Sequence, residues 1–306
     1  MTGLRLARDD DALSVSHGEQ ELLRYVYRPT EAQLESPRPY FHPLRTLAGE
    51  CVSLYRPHDH VWHKGIAWSL PNVGSENFWG GPTYVRNHGY VQLPNNGATR
   101  HRDFPVLHAD DHVVSVTEQL DWVTEAGSTW FTERRTFAVT VDNHAWTLTF
   151  ATRFTNISDA RVVMGSPTTE GRDNAGYGGL FWRGPRSFSG GRVYVPNRIG
   201  ADDLMGVRAP WLAFTGQHDG TGRRSTLVFV DAPDNLGHPT QWFVRSEMFA
   251  CVCPAPFFST EVPVAPGESL SFRYAVVIAD GDPGVDGAAK LADTGSAALA
   301  TLEQAG

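Results

Sequence analysis

The chain has 306 residues, of which 41% are hydrophobic, 20% charged and 11% aromatic; that is ample material for a core, and disorder is excluded. A net charge of −8 with no Lys/Arg run leaves no electrostatic footprint for nucleic acid. No apolar run of about 18 residues exists for a membrane span, and the N-terminus MTGLRLARDDD lacks the apolar stretch of a signal peptide.

The cysteines are Cys51, Cys251 and Cys253, an odd and sparse set that fits buried free thiols in a reducing compartment. The expectation is therefore a soluble, cytoplasmic protein with no nucleic-acid or membrane partner. A homo-oligomer is left open.

In chain order, residues 12–27 read as a hairpin, with ALSVS and ELLRYVY flanking a turn at 17–20. Pro37, Pro39 and Pro43 then hold the backbone extended and exclude a helix, so the following histidine-rich stretch lies on loops and short strands. From residue 112 the pattern alternates with period two. One face of 130–141 carries Phe131, Phe137, Val139 and Val141, and one face of the next strand carries Trp146, Leu148, Phe150 and Phe154. Glu133 and Arg135 interrupt the first of these faces, which places that half at a sheet rim.

Residues 162–192 are Gly-rich and read as irregular. Strands follow at 192–195, 211–215, 225–231, 241–253 and 270–279, with a hairpin loop at 217–224 and a turn at Pro266-Gly267-Glu268. Val285, Ala288, Leu291 and Ala292 stand at helical spacing. The reading is all-β: a large antiparallel β-sandwich over residues 1–282 as a single domain, with a C-terminal helical tail over 283–306.

Residues 38–81 gather His42, His58, His60 and His63 with Arg38, Arg45, Arg56, Asp59, Trp62, Trp68 and Trp79. Histidine titrates near neutral pH, so such a cluster suits proton transfer or metal binding. In a strand His58 and His60 share a face, and a turn after them brings His63 round; three imidazoles with an open position suit a divalent transition metal. Alternatively, one or two of them serve as general acid and base without a metal. Candidate carboxylate partners are Glu170, Asp173, Glu247 and Glu261.

The aromatics Trp79, Tyr177, Phe181, Trp182 and Trp242 lie among charged or Gly-rich segments. With Arg38, Arg45, Arg183, Arg245, His42, His88 and Asp59 they suit a hydroxylated ring, stacked on its face and hydrogen-bonded at its rim. An acidic sugar suits the arginine forks as well. Neither G-x-G-x-x-G before a helix, nor G-x-x-x-x-G-K-[ST], nor G-x-S-x-G occurs, which disfavours dinucleotide, phosphoryl-transfer and serine-hydrolase chemistry.

The segments RPYFHPL, RPHDHVWHKG, FWGG, GYGGLFWRGPR and PVAPGESLSFRYAVVIADG resemble a soluble bacterial family often labelled "methane oxygenase PmoA", over most of residues 37–282. The membrane subunit of that name is built from transmembrane helices, and no run of that kind is present here. The turn at PGE feeding an alternating strand is also similar to the end of aldose-1-epimerase-like (galactose-mutarotase-like) proteins. That resemblance implies a β-supersandwich acting on sugars, with His60 or His63 as acid and Glu170 or Glu261 as base. Mutarotases lack the His-Asp-His-x-x-His cluster, which leaves room for another reaction or a metal.

Overall fold

The computed structural model describes residues 3–142 and 144–304. Asn143 of the predicted turn, residues 1–2 of the predicted sandwich and residues 305–306 of the predicted tail lie outside them.

Among the described residues the strands form two large antiparallel sheets, of eleven and nine strands, and a small ribbon, Thr83–Val85 with Gly89–Val91. The first sheet runs Leu4–Arg8, Ala12–His17, Gln20–Val26, Tyr40–Leu44, Ile66–Val73, Gly179–Arg183, Cys251–Ala255, Gln241–Arg245, with Glu76–Phe78 and Val162–Gly165 also pairing Ile66–Val73 and Val262–Val264 pairing Val162–Gly165. The centre of the second is Arg224–Asp231, Ser269–Asp280, Ala145–Asn156, Thr129–Val141 and Val113–Val123, and Ala98–Ala109 is one edge. The two sheets pack face to face, as the period-two pattern requires.

Alternation decides what each face carries. Trp68, Leu180, Trp182, Trp242, Val244 and Val252 point inward, against Phe150, Phe154, Phe229, Phe272 and Val276 of the second sheet. The odd positions of the same strands, Phe181, Phe243, Cys251 and Cys253, form a separate apolar layer on the outer face of the first sheet. The outer face of the second sheet is covered by the helix Gly284–Gln304, through Ala288, Ala292 and Leu299 against Val228, Ala275 and Val277. No helix among the described residues is long and apolar enough to cross a membrane.

Four expectations are corrected. Residues 162–192 are not simply irregular: Val162–Gly165 and Gly179–Arg183 are strands, the latter central to the first sheet. Glycine is required at its start, because Gly179 has φ +140° and a Cβ there would lie 2.1 Å from the Pro254 carbonyl oxygen. Residues 241–253 are two strands, Gln241–Arg245 and Cys251–Ala255, paired as a hairpin.

Glu133 and Arg135 do not sit at a rim. Their side chains are 0% and 1% exposed, paired at 2.8 Å between the sheets, with Trp122 and Thr152 also donating to Glu133. A charged pair satisfied in this way survives in a core that would reject either charge alone. Finally, the chain turns between residues 57 and 63 rather than extending as a strand.

Candidate active site

The loop RPHDHVWHKG crosses the outer face of the first sheet and is pinned at its base. Arg56 N–H donates to His63 O at 2.9 Å, and Tyr55 bridges Lys64. Below it, the Lys64 ammonium pairs with Glu35 and stands 3.4 Å from Glu31, while Arg56 grips Glu35 at 2.7 Å and 2.9 Å. Burial opposes ionisation of Glu35, yet the hydrogen bonds from Arg56 and Lys64 hold its carboxyl below the ordinary range. Arg38 is buried and donates to Ser69 Oγ and to the carbonyls of Glu35, Ser36 and Trp62. It is thus a brace for the loop.

FWGG supplies the opposite wall. The Asn77 carboxamide oxygen accepts from the N–H of Trp79 and Gly80, fixing the turn. Gly80 and Gly81 have φ +102° and +68°, and a Cβ on either would meet Trp62 at 2.6–2.7 Å. Glycine here lets the indole of Trp62 lie on the backbone.

Within the loop His60 and His63 stack, with ring centroids 4.7 Å apart and planes 15° apart. His60 Nδ1 meets Asp59 Oδ2 at 3.0 Å; a carboxylate only accepts, so Nδ1 carries the proton and Nε2 presents a lone pair. His63 Nδ1 lies 3.3 Å from Arg183 Nη1; a guanidinium only donates, so here Nδ1 accepts and Nε2 carries the proton. Burial, with the charges of His60, Arg183 and Arg38, pushes the His63 pKa well down and keeps the ring neutral.

Asp59 is bonded by Arg186 at 2.7 Å and lies 3.6 Å from Arg183. Although burial opposes it, the His60 hydrogen bond and the two arginines hold its carboxyl far below its ordinary value. Arg183 is fully buried, its guanidinium 3.8 Å over the Phe249 ring.

Both histidines line a pocket of about 360 Å³, within the range of small-molecule sites. Its walls are largely aromatic: Trp79, Tyr177, Phe181, Phe243 and Phe249. Tyr90, Arg172 and Arg245 supply polar groups at the lining, and the Tyr90 and Tyr177 hydroxyls meet at 2.9 Å. Cys251 and Cys253 are free and buried in the apolar layer, and burial pushes the Cys251 thiol up to about 12.

Of the residues singled out from sequence, His60, Trp62, His63, Trp79, Tyr177, Phe181 and Arg245 line the pocket, and Asp59 and Arg183 stand directly behind it. The others lie elsewhere. Trp182 and Trp242 are buried between the sheets, their indoles donating to the carbonyls of Val52 and Ala209. His42 stacks on Tyr55 and bonds Ser53, Arg45 receives the Trp146 indole on its carbonyl, and His88 is exposed. Glu170 lies 4.0 Å from Arg86 and Glu261 is exposed; neither lines the pocket.

His58 faces Arg186 at 3.0 Å rather than joining the other two histidines. Among the described residues no group of three or more His, Cys, Asp or Glu is arranged to hold a metal ion. Stacked imidazoles direct their in-plane lone pairs along parallel planes, which does not converge on one ion. Sequence reasoning missed Tyr90, Arg172, Met248 and Phe249 as lining residues. For the last two the missing signal was the hairpin: they sit in its connection, inside what reads as one strand.

A two-sheet β-sandwich with a histidine-bearing aromatic pocket on the outer face of one sheet is the class that fold and site define. The chain belongs to DUF6807, a family of unknown function whose model matches residues 12–293. That family description carries no methane label, so the resemblance to proteins labelled "methane oxygenase PmoA" narrows to this membership.

No curated protein matches the chain. Among solved structures it is similar to the GH36 alpha-galactosidase AgaA from Geobacillus stearothermophilus, with a TM-score of 0.38 and 12% identity over 92% of this chain and 41% of that one. It is also similar to galactose 1-epimerase from Lactobacillus acidophilus NCFM, with a TM-score of 0.40 and 10% identity over 92% of this chain and 100% of that one. A galactose mutarotase-like protein from Lactobacillus casei ATCC 334 gives a TM-score of 0.39 and 9% identity over 90% and 100%. The chain spans about two fifths of the length of the alpha-galactosidases. Likeness this distant speaks to neither substrate nor reaction.

Proposed function

We propose that this protein is a carbohydrate-active enzyme that performs histidine acid–base chemistry on a sugar or glycoside. The observation that carries the reading is the stacked pair His60 and His63, whose opposite partners set opposite tautomers at one aromatic pocket. His60, oriented by Asp59, offers Nε2 as the base. It takes a proton from the substrate and, once charged, is the acid that returns it. His63 stays neutral and offers Nε2–H to an oxygen on which negative charge develops.

Trp79, Tyr177 and Phe243 give flat apolar surfaces of the kind that cover the C–H face of a pyranose ring. Epimerisation, glycosidic cleavage and elimination all need this pair of functions. In this reading the base role moves from Glu170 and Glu261 to His60.

The test is a panel of aldoses, glycosides and keto-sugars, assayed with the full chain. Once a substrate is turned over, His60→Ala and His63→Ala should each abolish most of the rate while Arg45→Ala keeps it. Turnover intact in both histidine variants would overturn the assignment.

A further inference from the structure

The pocket lining contains two arginines, Arg172 and Arg245, and no aspartate or glutamate. On a chain of net charge −8 this is a local reversal of sign. Neither guanidinium is neutralised at short range among the described residues. Arg172 donates to the phenol of Tyr90 and lies 4.9 Å over that ring. Arg245 lies 5.5 Å over Phe243, and its carboxylate neighbour is Asp202 at 4.0 Å. Asp202 faces it through Oδ2, while its Oδ1 accepts the backbone N–H groups of Ser246 and Glu247.

Behind the lining stands a third guanidinium, Arg183, 3.6 Å from Asp59, a carboxylate that His60 and Arg186 also engage. A guanidinium carries five N–H donors in a planar fork. One hydrogen bond to Tyr90, or one long ion pair, leaves most of that fork unused.

A neutral sugar has hydroxyls enough for one such fork but no charge for it to meet. We infer that the ligand of this pocket is a sugar bearing a carboxylate, such as a uronic acid, held by Arg172 or Arg245 while its ring lies on the aromatic walls. The carboxylate matches the guanidinium fork in geometry and supplies the charge the lining lacks. This inference rests on the reading of the pocket as a sugar site.

The experiment is titration calorimetry of the full chain with sodium D-glucuronate and sodium D-galacturonate, against D-glucose and D-galactose, at low and raised salt. The wild type should bind at least one uronate about tenfold more tightly than its neutral counterpart, with the advantage shrinking as salt rises. Arg172→Met or Arg245→Met should bring the two to parity, each variant first checked for native circular dichroism.

Equal binding of neutral and acidic sugars by the wild type would overturn the carboxylate assignment and leave the sugar site standing. A uronate preference that survives both variants would overturn the role of these arginines. Binding of no sugar at all would remove the sugar reading itself, and this inference with it.

Discussion

His60 and His63 lie ring on ring, 4.7 Å apart, yet one presents its Nδ1 to the carboxylate of Asp59 and the other to the guanidinium of Arg183. Two chemically identical side chains thus acquire different tautomers from their partners alone. The stack also couples them: a charge on His60 disfavours a charge on His63.

Asp59 fixes the tautomer of His60, and replacing it by asparagine reverses the donor. In Asp59→Asn the amide donates to Nδ1, Nε2 becomes the protonated nitrogen, and the base is lost. A fall in kcat of about 10²–10⁴ is expected, with little change in KM. Steady-state kinetics on the first substrate found by the panel checks it, with a melting curve to verify folding.

Arg38 braces the loop from beneath. Arg38→Ala strands the carbonyls of Glu35, Ser36 and Trp62, and the expected cost is of order 3 kcal/mol of stability. Urea unfolding reads it directly. A variant as stable as the wild type but defective in binding would return Arg38 to the substrate.

The tryptophans divide by the face they occupy. Trp79→Ala should weaken sugar binding about tenfold, whereas Trp182→Ala and Trp242→Ala should lose about 3–5 kcal/mol of stability as core cavities open. Denaturation and ligand titration on the same three variants separate the two effects.

Acid should destabilise the fold through its buried neutral histidines. Burial and the Arg45 charge lower His42 from about 6.5 to about 4. As pH falls through that window the unfolded chain takes up a proton that the folded chain refuses. Stability therefore drops with falling pH, by up to about 1.4 kcal/mol per unit for such a group. His63 and His218 are lowered too and act in the same direction, whereas Glu118 and Asp231 are raised by burial and oppose it. The difference between wild type and His42→Asn isolates one term: the variant should lose less stability between about pH 6.5 and about pH 4.

Much of the fold was legible because alternation is a local property. Phe137, Val139, Leu148 and Phe150 announce a buried face wherever the sheet ends up. The site was legible only where chemistry crowds one segment, as at His60 and His63. Trp182 and Phe181 are neighbours in one strand, one bound for the core and one for the pocket, and alternation alone does not say which face is which. Glu133 and Arg135, two residues apart on one strand, misled because the partners that satisfy them in the core, Trp122, Thr152 and Tyr25, come from other strands. Gly179 stood in a Gly-rich stretch that resembles a loop until the close approach of Pro254 explains it.

The most direct test of the account needs no substrate. Two-dimensional ¹⁵N–¹H spectra of the imidazoles, assigned with His60→Ala and His63→Ala and recorded well above the ordinary histidine pKa of about 6.5, report the protonated nitrogen of each ring. The account predicts His60 protonated on Nδ1 and His63 on Nε2. The same tautomer on both rings would contradict it.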